Sequence, residues 1–298
     1  MSANRYADYD PRVRAMTVEE SDTMRVKRDF SGKPSELTEK KIAKYWDANA
    51  DLWTDHVRQG WDTYREYLNN PAFLRFIGSL KGKKVLDAGC GEGHNTRILA
   101  RKGAQVVGVD ISPKMIRHAR QAERREPLGI RYEITSFSNL SLFEDGSFDT
   151  VVSTMALMDG PDYAGALKEL FRVLRPEGDL FFSISHPCFM TRGFGWVRNE
   201  NDEPVKLSVS DYFRRRPYIE RWTFSQLPTD QAVEPFAVPN FPRTLSEYLN
   251  TLVETGFILK KIHEPRPSAK TCQQYPWLMK WRNIAALFFY VHAVKHQS

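Results

Sequence analysis

The chain has 298 residues, of which 41% are hydrophobic and 27% are charged. This composition is typical of a folded, soluble protein with one large domain or two modest ones, and no apolar run reaches the 18 or more residues of a membrane span. The N-terminal residues show no apolar segment followed by a small-residue cleavage site, so we expect no signal peptide and a cytoplasmic protein. The three cysteines are far apart, which excludes a disulfide framework.

The N-terminal part of the chain divides into two regions. Residues 1–36 mix acidic and basic side chains without a long apolar period, which predicts a flexible or loosely docked arm. In residues 37–80, apolar side chains recur at helical spacing, beginning with Ile42, Tyr45 and Trp46. This pattern predicts amphipathic helices that form a cap on the following domain.

Residues 81–185 alternate short apolar strands with helices, which indicates a doubly wound α/β domain. Residues 244–298 add a helix capped by Thr244 and two further strands, Phe257–His263 and Ala285–Val294. Together they predict a mostly parallel, seven-stranded, Rossmann-like sheet. The other predicted elements are the strands Lys84–Ala88, Ala104–Asp110, Ile130–Ile134, Ser147–Ser153 and Asp179–Ser185, and the helices Asn95–Lys102, Pro113–Arg125 and Tyr163–Leu174.

An aromatic-rich insertion, residues 186–243, follows the fifth strand of this domain. A connection of that length without strong periodicity is usually a functional lid or a small subdomain. We expect a lid with a substrate site, because aromatic faces suit a planar or cationic acceptor. The alternative for most of these aromatic residues is a subdomain core. The candidate acceptor-binding residues are Trp196, Tyr212, Trp222 and Arg243.

A glycine-rich loop follows the first strand of the α/β domain. Gly89, Gly91 and Gly93 occupy alternate positions, a spacing that differs from the G-x-G-x-x-G of dinucleotide-binding proteins. Asp87 precedes them. Such a loop allows a ligand to approach the backbone closely, and the amides of the following helix face an anion or a carboxylate. Asp110 ends the second strand, where an acid can accept both hydroxyls of a ribose, so the pattern predicts a nucleoside ligand.

Four segments of the chain, which occur in the same order as in the family, resemble the class I S-adenosylmethionine-dependent methyltransferases. The resemblance is to the small-molecule, methyltransferase-11-like group in particular. The resemblance implies S-adenosyl-L-methionine as the cofactor, with the glycine loop around its methionine part. It also implies that Asp110 binds the ribose and that Ile111 packs on the adenine. The matching segments are residues 85–93, 108–112, 145–149 and 171–178.

Five more cofactor-binding candidates come from the same resemblance. Tyr45 belongs to a segment that looks like the aromatic N-terminal helix with which the family closes over the cofactor. Ser136 stands where the family often has an acid for the adenine amino group, so Ser136 or a backbone group must replace that contact. The remaining candidates are Met115, Phe137 and Ser153.

Two residues are candidates for catalysis because they follow the fifth and fourth strands, at the edge where α/β sheets bind their ligands. His186 is a candidate base or substrate donor, and its alternative role is to fix the turn before Pro187. Asp159 could face the methyl group or the acceptor, and its alternative role is to cap the following turn. A base is required only when the acceptor must lose a proton.

The sequence therefore predicts an enzyme that transfers a methyl group from the cofactor to an O, N, S or C atom of a small-molecule acceptor. One alternative is an RNA methyltransferase, which the net charge of +6 and the arginine run at residues 214–216 favour. Against it, the chain shows no RNA-binding signature. The second alternative is a non-catalytic binding protein that retained the fold. A homodimer is compatible with the sequence, and neither a membrane partner nor a metal ion is expected.

Overall fold

The computed structural model describes residues 27–29, 37–224 and 233–296, beginning with one short strand and a helical region. Strand β1 (Lys27–Asp29) lies within the predicted N-terminal arm, whose other residues are outside the described ranges. Helix α1 (Glu39–Arg58) follows, and then a π-helical turn, Arg65–Asn69, leads into α2 (Asn70–Ile77). None of the helices in these ranges is long and apolar enough to cross a membrane.

A seven-stranded sheet forms the centre of the protein, with the order β11-β12-β6-β5-β2-β3-β4. Strands β2 to β6 are parallel to one another, and β12 runs antiparallel to both β6 and β11. This topology confirms the predicted doubly wound, mostly parallel sheet. The strands are β2 (Lys84–Ala88), β3 (Gln105–Asp110), β4 (Arg131–Ile134), β5 (Phe148–Thr154), β6 (Leu174–Ser185), β11 (Phe257–His263) and β12 (Phe288–Lys295).

Helices cover both faces of the sheet and bury two hydrophobic clusters. Successive residues of a strand point to opposite faces, and accordingly Val85 and Leu86 of β2 belong to different clusters. Thr244 caps α6 in a reciprocal capping box with Glu247, as its sequence position predicts. The helices that pack on this sheet are α3 (His94–Arg101), α4 (Pro113–Arg125), α5 (Tyr163–Val173) and α6 (Leu245–Glu254).

The C-terminal region differs from its prediction. Strand β12 begins at Phe288 rather than at Ala285, and two short helices, α7 (Ala269–Gln274) and α8 (Met279–Asn283), precede it. These helices are too short to show an apolar period in the sequence.

Strand β6 also differs from its prediction. It begins directly after α5 and includes the predicted turn around Pro176, where its register with β5 shifts.

The aromatic insertion forms two small antiparallel sheets, which the sequence did not predict. In the first, β7 (Gly195–Arg198) pairs with β8 (Pro204–Ser208). In the second, β9 (Tyr218–Trp222) lies between β10 (Phe236–Asn240) and β1. The N-terminal arm therefore contributes backbone to the same sheet as the insertion.

Helix α1 is fixed between the α/β domain and this second sheet. Its Asp47 carboxylate accepts hydrogen bonds from the Ser112 hydroxyl at 2.6 Å and from the Lys114 amide at 3.0 Å, at the start of α4. Two residues further along, the Asn49 side chain pairs with the edge of β10. Its Nδ2 donates to the Ala237 carbonyl at 3.0 Å and its Oδ1 accepts from the Ala237 amide at 3.2 Å. These contacts set the position of the aromatic residues that α1 turns inwards.

We expect Asn49→Ala to lower the free energy of unfolding by about 1–3 kcal/mol, because it removes the side-chain partners of both the amide and the carbonyl of Ala237, which are partly buried. Denaturant unfolding of the two proteins measures the difference. Lys44→Ala, at an exposed position of the same helix, is the control and should change stability by less than about 0.5 kcal/mol. Equal stability of Asn49→Ala and the unchanged protein would contradict this account of how α1 docks.

Candidate active site

A cavity of about 310 Å³ lies at the carboxyl ends of the parallel strands. Its lining includes Asp87 of β2, Asp110 at the end of β3, Thr154 at the end of β5 and Ser185 at the end of β6. Aromatic side chains of α1, α8 and the insertion form the other walls. Ligands of open α/β sheets bind in this position, so the fold itself makes the cavity the candidate site.

The glycine loop packs closely against the turn that follows β5. Gly89 has a φ of +81°, and a Cβ at this position would lie 2.3 Å from the Ala156 Cβ. The amides of Gly89 and Cys90 both donate to the Val109 carbonyl at 2.9 Å. By contrast, a Cβ on Gly91 would meet nothing within 4 Å. The loop therefore needs glycine at residue 89 for close packing, and it leaves open space at residue 91 beside the cavity.

Asp110 joins this loop to the start of α4. Its Oδ2 accepts a hydrogen bond from the Gly91 amide and its Oδ1 accepts one from the Ser112 amide, both at 2.9 Å. Burial raises the pKa of Asp110 to about 6, and the two amides oppose that shift. Each carboxylate oxygen has a further lone pair, so the side chain can also accept from a pair of ligand hydroxyls.

Asp87 lies beneath the loop and is almost fully buried. The Thr96 hydroxyl donates to its Oδ2 at 2.6 Å. Burial raises the pKa of Asp87 to about 7, and the negative charges of Asp110 and Glu92 add to the shift. Through this hydrogen bond, Asp87 at the end of β2 holds the start of α3 in place next to the glycine loop.

Six of the ten predicted cofactor-binding residues line the cavity. They share one region, formed by the glycine loop, the end of β3 and the first turn of α4. The six are Asp87, Gly89, Gly91, Asp110, Ile111 and Met115.

The other four predicted residues are not among the residues that line the cavity. On α1, Trp46 lines it and its neighbour Tyr45 does not. The Ser136 hydroxyl donates to Glu39 of α1 at 2.7 Å, and the Ser153 hydroxyl donates to the Ala88 carbonyl at 2.7 Å. The fourth residue, Phe137, packs its ring against Gly160 and the core beneath the site. Ser136, Phe137 and Ser153 thus contact other parts of the protein from outside the cavity lining.

Two aromatic walls enclose the rest of the cavity. Trp53 of α1 and Trp222 of β9 have ring centroids 5.5 Å apart on one wall, and Trp196 of β7 and Trp281 of α8 have centroids 5.0 Å apart on the other. The first wall continues through Trp61 and Phe224, and the second through Tyr64 and Phe288. Such walls suit a planar, largely apolar ligand.

Of the four predicted acceptor-binding residues, Trp196 and Trp222 line this cavity, and Tyr212 and Arg243 do not. Tyr212 and Arg243 line a separate recess of about 50 Å³. Arg243 Nη2 donates to the Gly160 carbonyl at 2.6 Å, and the Tyr212 hydroxyl accepts from the Leu245 amide at 2.9 Å. Both side chains therefore fix the backbone of a turn or a helix start.

Only one of the two predicted catalytic residues is among the residues that line the cavity. Asp159 lines the cavity, and its burial raises its pKa well above the usual range, with a further contribution from Glu220. His186 is buried away from the cavity lining. Its Nε2 is 2.8 Å from Glu264 Oε1, and its Nδ1 accepts from the Cys188 amide at 3.2 Å. The histidine is engaged at both nitrogens, which matches its alternative role of fixing the turn before Pro187.

Sequence reasoning did not identify Arg65, which lines the cavity from the π-helical turn. Its Nη1 is 3.6 Å from the Glu92 carboxylate in the glycine loop. Its Nη2 is buried and has no hydrogen-bond partner among the described residues. A guanidinium in this position can bind a carboxylate next to the loop. Within the same ranges, no group of three or more His, Cys, Asp or Glu side chains could hold a metal ion.

We expect Gly89→Ala to lower the free energy of unfolding by about 2–5 kcal/mol, because a left-handed backbone conformation and a steric overlap both penalise the added methyl group. Gly91→Ala is the matched control. It carries the backbone penalty of about 1–2 kcal/mol without the overlap. Thermal or denaturant unfolding compares the two, and an equal loss in both variants would show that the packing against Ala156 has no effect.

Comparison with known proteins places the site in a family. Residues 86–182 match the family described as methyltransferase domain. The chain is 26% identical over 206 residues to an uncharacterized protein from Haemophilus influenzae, covering 67% of this chain and 77% of that one. It is 36% identical over 147 residues to the ubiquinone biosynthesis O-methyltransferase of Hahella chejuensis, covering 45% and 62%. The chain thus spans less than two thirds of that enzyme's length.

The fold comparison agrees with the sequence match. The crystal structure of an S-adenosylmethionine-dependent methyltransferase from Mesorhizobium loti superposes with a TM-score of 0.62 at 26% sequence identity, covering 75% of this chain and 96% of that one. The matched region contains the glycine loop and Asp110. Residues 86–182 thus form a methyltransferase domain of the class I S-adenosylmethionine-dependent type, and the cofactor of this domain is S-adenosyl-L-methionine.

Proposed function

We propose that this protein transfers a methyl group from S-adenosylmethionine to a small-molecule acceptor, with a hydroxyl oxygen as the first candidate atom. The observation that supports this function is one cavity lined by both the cofactor-binding region and the two aromatic walls. Two ligands can lie next to each other in such a space. Positioning of the reactants can supply up to roughly 7–11 kcal/mol of the barrier reduction in well-oriented systems.

The residues of the cavity fit the cofactor by their chemistry. Asp110 offers acceptors for the ribose hydroxyls, and the open space at Gly91 allows a ligand to approach the loop. The buried, unpartnered Nη2 of Arg65 is a donor for the carboxylate of the methionine part. When bound, the cofactor supplies an electrophilic methyl group on a sulfonium. The protein orients that group, and its aromatic walls exclude water from the cavity.

A hydroxyl acceptor is supported by the relatives from ubiquinone biosynthesis, which are O-methyltransferases. A hydroxyl must lose its proton as the new bond forms, so a base assists the transfer. Asp159 is the candidate base because it lines the cavity and because its raised pKa makes its carboxylate a stronger proton acceptor than an ordinary aspartate.

Titration calorimetry with S-adenosylmethionine and S-adenosylhomocysteine tests the cofactor site. We expect micromolar binding and a loss of at least about tenfold in affinity for Asp110→Ala, because charge-assisted hydrogen bonds to the ribose are lost. The control is Asp145→Ala, at an exposed position on the surface. If the unchanged protein binds neither nucleoside, the proposed function is wrong.

Mass spectrometry of reaction mixtures separates the candidate functions. Release of S-adenosylhomocysteine with small phenols, and a mass increase of one methyl group on the acceptor, would support the proposal. Methylation of RNA under the same conditions would favour the RNA enzyme instead. Cofactor binding without transfer to either class would favour a non-catalytic protein.

We expect Asp159→Asn to reduce kcat with a hydroxyl acceptor by about 10²–10⁴, the usual contribution of a general base. The raised pKa fixes the sign of the pH dependence: Asp159 is protonated at low pH, so the activity of the unchanged protein rises with pH. In Asp159→Asn, the activity should no longer rise with pH in this way. Asp162→Asn is the control, since its side-chain oxygen can still accept from the Gly165 amide at the start of α5. An unchanged profile in Asp159→Asn would exclude Asp159 as the base.

A further inference from the structure

The first aromatic wall of the cavity, which contains Trp53 and Trp222, is extended by a third tryptophan, Trp46 of α1. All three side chains line the cavity and are half-buried. The ring centroid of Trp53 is 5.4 Å from that of Trp46 and 5.5 Å from that of Trp222, and both pairs pack edge to face. The face of an indole ring carries negative electrostatic potential, so rings that line a cavity attract a positively charged group.

The two aromatic walls differ in the positive charge that the protein itself supplies. In the second wall, the Nζ of Lys280 lies 5.3 Å from the ring centroid of Trp196 and 6.0 Å from that of Trp281. By contrast, no Lys or Arg of the described residues lies over the three tryptophan rings of the first wall. The first wall is therefore the one where a ligand can supply the cation.

Acidic side chains lie beside the first wall. Glu220 precedes Trp222 by two residues in β9 and also lines the cavity, so both side chains lie on the same face of that strand. Burial raises the pKa of Asp159, and the negative charges of Glu220 and Asp110 add to this shift, whereas Arg243 opposes it. This side of the cavity therefore favours a positive charge on the ligand.

The charges of the whole cavity agree with this. Among the described residues that line it, there are six Asp or Glu side chains and two Lys or Arg side chains, Arg65 and Lys280. Arg65 acts at the glycine loop, where its Nε is 3.8 Å from the Asp62 carboxylate and its Nη1 is 3.6 Å from that of Glu92. Burial lowers the pKa of His94 to about 4, so this residue is neutral. The six acidic residues are Asp62, Asp87, Glu92, Asp110, Asp159 and Glu220.

We propose that the methyl acceptor carries a positively charged nitrogen in addition to its hydroxyl group, and that the ring faces of Trp46, Trp53 and Trp222 bind this nitrogen. The inference rests on the proposed function and assigns the substrate class of the same cavity. A quaternary or protonated amine is attracted both by the rings and by the neighbouring carboxylates. Its charge also favours the ionised form of Asp159, which is the form that accepts the hydroxyl proton.

Calorimetry on the protein saturated with S-adenosylhomocysteine tests the proposal with two phenols, 3-hydroxyphenyltrimethylammonium and 3-tert-butylphenol, which have the same shape and differ in charge. We expect the unchanged protein to bind the ammonium compound at least about threefold more tightly. Trp222→Leu keeps an apolar side chain without a ring face. It should weaken the ammonium compound by about three- to thirtyfold and 3-tert-butylphenol by less than about threefold. Trp222→Phe keeps a smaller ring face and should lie between the two proteins.

The control is Phe213→Leu, which removes an aromatic ring of the same insertion that is 81% exposed, and it should keep the preference of the unchanged protein. The proposal is overturned if the unchanged protein binds the two phenols equally or binds neither, or if Trp222→Leu retains the preference. Retained affinity for S-adenosylhomocysteine shows that each variant is folded. Failure of the unchanged protein to bind S-adenosylhomocysteine would instead overturn the proposed function.

The sulfonium of the cofactor is a second cation that enters the cavity, so the affinities of Trp222→Leu for S-adenosylmethionine and S-adenosylhomocysteine are also compared. We expect both affinities to stay within about threefold of those of the unchanged protein. A loss for S-adenosylmethionine alone, together with equal binding of the two phenols by the unchanged protein, would assign the first wall to the sulfonium and overturn the proposal.

Discussion

The carboxylate of Asp110 connects the glycine loop to the start of α4, and the arrangement of the site depends on this connection. It accepts from the amides of Gly91 and Ser112, and so it holds the glycine loop and the start of α4 in fixed positions. The Ser112 hydroxyl then donates to Asp47 of α1, and Asn49 of α1 pairs with β10. Through α1, these hydrogen bonds thus connect the glycine loop to the small sheet that carries one aromatic wall.

The positions of Gly89, Gly91 and Asp110 beside the cavity could be predicted from the sequence. These residues end two neighbouring strands or follow them directly, and their positions follow from strand, loop and helix geometry that local patterns encode. The seven-stranded sheet was predictable for the same reason, since each strand and its following helix have their own apolar pattern. The cavity is lined by Trp46 and not by its neighbour Tyr45, because two adjacent aromatic residues on a helix do not reveal which of them turns inwards.

The remaining site residues depend on contacts between distant segments. Ser136 is bound by Glu39, almost a hundred residues earlier, and the partner of His186 is Glu264 from the chain after β11. Arg65 and Lys280 enter the cavity from a π-helical turn and from a five-residue helix, and neither element has a periodic signature. Only the assembled fold places these charges beside the cavity.

The short strand β1 has a consequence for the N-terminus. Because Lys27–Asp29 pairs with β9, the amides and carbonyls on that side of β9 are satisfied by a segment that shows no apolar pattern of its own. A chain shortened to the start of α1 would leave the β9 edge open, and open edges recruit strands from other molecules. Removal of this polar leader would therefore favour self-association through the sheet that carries Trp222, next to the site, rather than merely trim a dispensable tail.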